Sequence, residues 1–446
     1  MGSFKEKILS FFSSFRWIVF FFFPFLLFQC FHIIQQHWDT QAYIFGGKWF
    51  CGNQIYFEFI RPPIPSFLNC IFGAQDYSML LSTAFTCLLY FTAIALIYSN
   101  HRKELNQFVF AFLAFLFPSI LINSNFGADL LALSFLLLAL ESSSTLRKGF
   151  LFALASLARY NYILFVFVFL FDLRKKPKNI PLFFAAYLIP WIPWMIYNYL
   201  FTGNPIFSVW ENFFLNVQSK ALISPIAPDQ IFIIALFLLL AFLAWREKKK
   251  VNQLNGVSIL GSVMFLISGI KETRFINMLV PSIAFNAAFL AKQSSKKKKF
   301  LHIFVLVLIG LFLMIFFTPS FNFFKSPVVT PILVAQDDFI KECRVASDKW
   351  VYFYEKGIIA EVVYDIPDLN KFVSSGGSLV LYSPSSFDLS NISAERIDRG
   401  EYTILKSSSC APQPKKYISG SLRHLVLKHL KDTNSSFYDY SDWYED

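Results

Sequence analysis

Apolar stretches long enough to enter a bilayer recur through the first 318 residues, and little but short basic clusters and a few polar turns separates them. This alternation constrains the fold more than any other feature, because a water-facing core has no room for so much apolar surface. Mean hydropathy is +0.50, and 58 of the 446 residues are phenylalanine while only 15% are charged. The expectation is an all-α polytopic membrane protein in contact with membrane lipids, since a lipid-facing helix satisfies every backbone N–H and C=O within its own segment.

Lys and Arg outnumber Asp and Glu by 40 to 29, yet residues 319–446 hold 14 basic against 17 acidic side chains. The basic excess therefore belongs to the apolar part. It gathers in clusters such as 101–103 (HRK), 174–176 (RKK), 246–250 (REKKK) and 296–299 (KKKK). Clusters between spans orient helices in a membrane. A nucleic-acid surface needs one continuous basic stripe, so nucleic acid is not expected as a partner.

Placing these clusters on the inner side predicts about eleven crossings within residues 1–318. They are Trp17–Ile34, Met79–Tyr98, Phe108–Ile122, Leu130–Leu140, two within Gly149–Phe171, Ile180–Leu200, Ile231–Trp245, Val257–Ile270, Phe275–Ala291 and Phe300–Phe317. The first follows Lys5, Lys7 and Arg16 without a small-residue cleavage site, and it reads as a retained span. Gly149–Phe171 looks like one helix, but a single crossing would put the basic stretch 172–179 outside. Two segments turning near Arg159, Tyr160 and Asn161 restore the alternation. Each would give roughly 15–18 Å of helix against a hydrocarbon core near 30 Å. A helix broken at depth persists where protein buries it or where it lines a wet cavity. Arg159 is then either a cavity residue or an arginine that snorkels or pairs for structure. Lys271 and Arg274 break the alternation at an outer turn. They imply either an anionic partner or a pair in which Glu272 neutralises Arg274.

Residues 319–446 read as a separate, small extracytoplasmic α/β domain: short apolar or alternating runs lie between turns, followed by an amphipathic helical pattern at 421–432. Asn391 and Asn434 stand in glycosylation-acceptor patterns. The six cysteines show no metal-ligand spacing; Cys51 with Cys70, and Cys343 with Cys410, are either disulfides or free thiols.

The polar exceptions fall on the expected outer side. Asp39, Glu58 and Arg61 lie in the first loop, Asp129 at the next outer turn, and Lys271 and Arg274 at a later one. Carboxylates and cations at span ends suit a reaction between a lipid-linked phosphosugar and an acceptor hydroxyl. The lipid tail stays in the bilayer, basic groups neutralise the phosphate at the interface, and a carboxylate takes the proton of the attacking hydroxyl. The leaving group is already a phosphate, so the acid of the usual carboxylate pair is not required.

The first loop, WDTQAYIFGGKWFCGNQIYFEFIRPPIPSFL, resembles the first outer loop of membrane glycosyltransferases with the GT-C fold. It is similar to the branch that holds protein O-mannosyltransferases, lipid A aminoarabinose transferases and RgtA-like enzymes. The matching positions are Asp39, Tyr43, Gly46 or Gly47, and Arg61-Pro62-Pro63-Ile64. Residues 153–165, 196–208 and 271–281 resemble three later segments of the family, so the likeness spans about residues 14–318. Asn161 and Tyr162 stand where the family commonly has a glycine, and Phe275 where tyrosine is frequent.

The resemblance implies an inverting transferase that moves a sugar, a hexose with mannose among the candidates, from a polyprenyl- or dolichyl-phosphate donor. The acceptor hydroxyl belongs to a glycan, protein or lipid on the outer face of the cell membrane. Asp39 would be the base, or alternatively a helix cap. Tyr43 would belong to the substrate site. Glu58 would orient acceptor or sugar, or be a solvent-exposed glutamate. Arg61 would contact donor phosphate or lock the loop to a carboxylate. Asp129 resembles a second acidic position used for substrate or metal. His37 beside Asp39 hints at a cation site without a spaced ligand set, which leaves a divalent-cation cofactor open. The competing readings are a transporter or flippase, for which no internal repeat is visible, and a non-catalytic assembly subunit.

Overall fold

The computed structural model describes residues 14–33, 38–53, 56–120, 128–213, 226–248, 253–267, 273–293 and most of 338–419. It divides into two compact units, each assembled from three segments. The first takes 1–35, 79–196 and 222–328; the second takes 36–78, 197–221 and 329–446. Sequence reading gives the module after 318 to the tail alone; in the structure two earlier segments join it.

The described residues are mostly helical, with one small mixed sheet and one short strand pair among them. Among the described residues, four helices are long and apolar enough to cross a membrane: Tyr77–His101, Pro177–Thr202, Gln230–Glu247 and Phe275–Gln293. Four shorter apolar helices, Arg16–Cys30, Gln107–Phe117, Tyr160–Leu173 and Gln253–Ile267, have 10–17 residues. Among the described residues, then, the helices of span length are fewer than the expected count of about eleven crossings. Two physical reasons account for most of the difference. Apolarity reports removal from water and not which apolar medium replaces it. The helix Asp129–Glu141 has 13 residues, below span length, and is buried along almost its whole length. Such a helix is apolar all round because other helices surround it. Short breaks also divide apolar runs into pieces below span length. The expected span 300–317 lies outside the described residues, as do the helical pattern at 421–432, Asn391 and Asn434.

The break expected near Arg159 is present. A helix runs Thr145–Ala158, Arg159 is extended at φ −151° and ψ 114°, a 3-10 turn covers Tyr160–Phe165, and a second helix covers Val166–Leu173. Two tryptophans of the proline-bearing helix Ile180–Thr202 hold this break. Trp191 donates its indole N–H to Ser156 Oγ at 3.0 Å, and Trp194 donates to Tyr160 Oη at 2.9 Å.

Among its described residues the second unit forms seven short strands: β1 (Tyr56–Glu58), β2 (Val345–Ser347), β3 (Ala360–Val362), β4 (Ser378–Leu381), β5 (Glu395–Asp398), β6 (Thr403–Lys406) and β7 (Tyr417–Ser419). The main sheet has the order β3-β2-β4-β6-β5. β2 runs parallel to β3 and β4, and β6 runs antiparallel to β4 and β5. The parallel strands β2, β3 and β4 are fully buried, while the antiparallel edge strand β5 is exposed at most of its positions. Apolar clusters cover both faces, one around Val345, Phe353, Val380 and Ile404 and another around Ala346, Phe372, Leu379 and Leu405. The small α/β module expected of the tail thus exists. Both cysteine pairs, Cys51–Cys70 and Cys343–Cys410, are disulfides.

Candidate functional site

Two polar clusters stand out, one in each unit. In the first unit Asp129 opens the helix Asp129–Glu141 and is only 4% exposed. Arg159 Nε approaches Asp129 Oδ1 at 2.8 Å, and the Arg159 guanidinium lies 4.8 Å from the centre of the Phe275 ring. The extended backbone at the helix break delivers the guanidinium, because there the chain leaves the helical path. Ala128, just before Asp129, sits in the left-handed region at φ 60°. That conformation costs a non-glycine residue roughly 1–2 kcal/mol. Packing that outweighs this cost holds Asp129 at the helix start. Asn277, in the 3-10 segment Thr273–Leu279, is 2% exposed, and neither side-chain amide atom is hydrogen-bonded among the described residues.

The second cluster is built on the first loop. The helix Trp38–Phe50 packs against the helix Pro63–Ile71 at consecutive glycines. A Cβ at Gly46 would overlap Ser66, and one at Gly47 would come within 2.8 Å of Asn69 Cβ and 3.1 Å of the Cys70 backbone. Pro63 begins the second helix, the place where a missing N–H costs nothing. Asn69 secures it by donating to Pro65 O at 2.9 Å and accepting from Ser78 Oγ at 2.7 Å. Between these helices β1 carries Tyr56 and Glu58. Tyr56 O–H donates to Glu58 Oε1, and Arg61 Nε donates to Glu58 Oε2. The Arg61 guanidinium lies 5.4 Å from the Tyr43 ring centre. Glu58 is 6% exposed, so the solvent-exposed reading of this residue is not the one observed. Arg61 locks the loop to a carboxylate, one of the two roles its sequence position allows. Burial, with Glu58 beside it, holds the Tyr56 phenol well above its ordinary pKa, so it stays a donor through the neutral range.

The segment 197–208 belongs to the same unit. Asn198 Oδ1 accepts the backbone N–H of Ser208 at 3.1 Å, and Asn212 Nδ2 reaches Ile60 O at 3.0 Å. The helix Phe207–Phe213 therefore braces the end of β1. It also buries Glu211, which is 5% exposed. Sequence reasoning assigned nothing to Glu211, although a lone carboxylate within the run VWENFF was a visible signal. It also missed Tyr56 and Trp350, whose shared hydrogen bond joins positions nearly three hundred residues apart; no local pattern encodes that pairing.

The sequence-derived candidates thus divide. Tyr43, Glu58 and Arg61 come together in the second unit, and Asp129 and Arg159 come together in the first. Asp39 falls in the first turn of Trp38–Phe50 and Arg274 in Thr273–Leu279. Their side chains, with His37 and Lys271, lie outside the described residues. Among the described residues no group of three or more His, Cys, Asp and Glu side chains is placed to hold a metal ion. In comparisons with known proteins, no family model, no curated protein and no solved structure matches this chain.

Proposed function

We propose that the chain is a membrane glycosyltransferase of the GT-C type. It transfers a sugar, with inversion, from a polyprenyl- or dolichyl-phosphate donor to an acceptor hydroxyl at the outer membrane face. The observation that carries this reading is the ion pair of buried Asp129 with partly buried Arg159, set where an apolar helix breaks. An ionisable pair in an apolar helical region marks a functional site by default. The pair of buried Glu58 with partly buried Arg61 in the first loop, on the segment that resembles the family, supports the same reading.

In this reaction the acceptor oxygen forms a bond to the anomeric carbon as the bond from that carbon to the phosphate oxygen breaks. The electron pair leaves with the lipid phosphate, and the hydroxyl proton passes to the Asp39 carboxylate. Arg159, Lys271 and Arg274 are the cations for the donor phosphate, with Asp129 fixing Arg159. Glu58 orients the acceptor or sugar, held by Arg61, while Tyr43 lies under the Arg61 guanidinium. The two disulfides favour an extracytoplasmic location for the second unit, because such bonds persist in oxidising compartments.

The test is incubation of membranes containing the protein with a panel of labelled polyprenyl-phosphate sugars, followed by identification of the labelled product. Transfer by the wild type, abolished in Asp39→Asn at equal protein level, is the expected result. Unchanged turnover in Asp39→Asn removes Asp39 as the base. Solute uptake or lipid translocation by reconstituted vesicles without transfer favours the transporter reading instead.

A further inference from the structure

The reading above gives the C-terminal α/β module no role. Its three parallel strands have the order β3-β2-β4, so the chain leaves β2 for β3 on one side and returns to β4 on the other. Open α/β sheets take their ligands at the carboxyl ends of the strands flanking such a reversal. Here Asp348, next after β2, accepts the backbone N–H of Tyr382, next after β4, at 2.9 Å. Ser347 Oγ accepts the backbone N–H of Lys349 at 3.0 Å. These bonds fix the path into Trp350. Its indole N–H is given to Tyr56 Oη, with Glu58 Oε1 3.3 Å away. The segment leaving β2, the middle of the three parallel strands, thus meets the chain's own first loop.

Two more contacts hold the same loop strand, and a disulfide ties together the parts of the module that make them. β7 pairs in parallel with β1, Tyr56 beside Tyr417 and Glu58 beside Ser419. The Tyr354 ring lies 4.4 Å from that of Tyr56, within a buried cluster that includes Phe45 and Val351. The Cys343–Cys410 disulfide ties the stretch entering β2 to the stretch preceding β7, the two parts of the module that grip β1.

We propose that the C-terminal module is the brace that orients the Glu58–Arg61 pair, and that Trp350 is the positioning residue through which it acts; the catalytic consequence rests on the transferase reading. Oε1 of Glu58 takes the Tyr56 hydroxyl and faces the indole, while Oε2 takes Arg61. The indole has one N–H and no acceptor. Removing that donor takes away the hydrogen bond that Tyr56 Oη accepts and leaves a buried carboxylate less well fixed. The pair can then turn away from the orientation that the loop presents to substrate.

Trp350→Phe keeps the ring and deletes the donor, and it is measured in the full chain in lipid nanodiscs. Amide exchange over residues 56–61 is expected to rise about tenfold, the size of one lost hydrogen bond to a charged group. Exchange in β2, β3 and β4 should not change. With the labelled polyprenyl-phosphate sugar used by the wild type, kcat should fall about tenfold while KM for the donor stays the same. Unchanged exchange over 56–61 overturns the brace. Faster exchange with undiminished kcat overturns the positioning role and leaves the transferase reading intact. A wild type that transfers none of the donors sinks the transferase reading, and the exchange measurement still decides the brace. Tyr56→Phe removes the hydroxyl at the same node and is read in the same way if Trp350→Phe does not accumulate.

Discussion

Arg159 both ends a helix and makes an ion pair at the break. Its extended backbone ends the helix Thr145–Ala158, and its guanidinium reaches the buried Asp129. Removing one partner of a buried pair leaves an uncompensated charge and costs about 3 kcal/mol or more. Arg159→Ala should therefore lower the stability of the detergent-solubilised protein by about that amount, read in denaturant unfolding. Adding Asp129→Asn to Arg159→Ala should restore part of the loss, because no charge is then stranded. The charge, the apolar surroundings and the break were all legible at Arg159. Its partner was not, because Asp129 lies 30 positions earlier and the ion pair exists only once the helices have packed.

At the scale of elements, the first loop is a pair of helices pressed together at Gly46 and Gly47 and closed by the Cys51–Cys70 disulfide. The resemblance marks a glycine at one of these two positions; in the structure both face a neighbour too near to admit a side chain. Gly47→Ala meets Asn69 Cβ and the Cys70 backbone, which cannot swing aside as a flexible side chain can. Overpacking of this kind costs about 1–3 kcal/mol. The expected outcome is faster protease cleavage within residues 38–71 in Gly47→Ala, while cleavage in the first unit stays at the wild-type rate. The helix Asp129–Glu141 teaches the opposite lesson. Its apolar composition predicts a crossing, but the structure buries it among other helices, and the run LLALSFLLLAL cannot by itself distinguish lipid from protein as its surroundings.

For the whole molecule, the decisive feature is that the second unit gathers residues 36–78, 197–221 and 329–446 from three distant parts of the chain. The Cys343–Cys410 bond closes a separation of 67 residues, and a cross-link over such a loop contributes about 4 kcal/mol by limiting the unfolded chain. Replacing both cysteines by serine should lower the unfolding midpoint of the second unit and increase amide exchange at β1 as well as in the tail sheet, measured on the full chain. Sequence alone determined the long apolar helices, the helix break at Arg159 and the α/β nature of the tail, because hydropathy, charge placement and alternation are local properties. Tertiary structure alone decided that Glu58 is buried and held through Tyr56 by Trp350, that Arg61 is its partner, and that four helices among the described residues reach span length. Those facts depend on which distant surfaces meet, and burial energy depends on the area removed from water, whatever the separation along the chain.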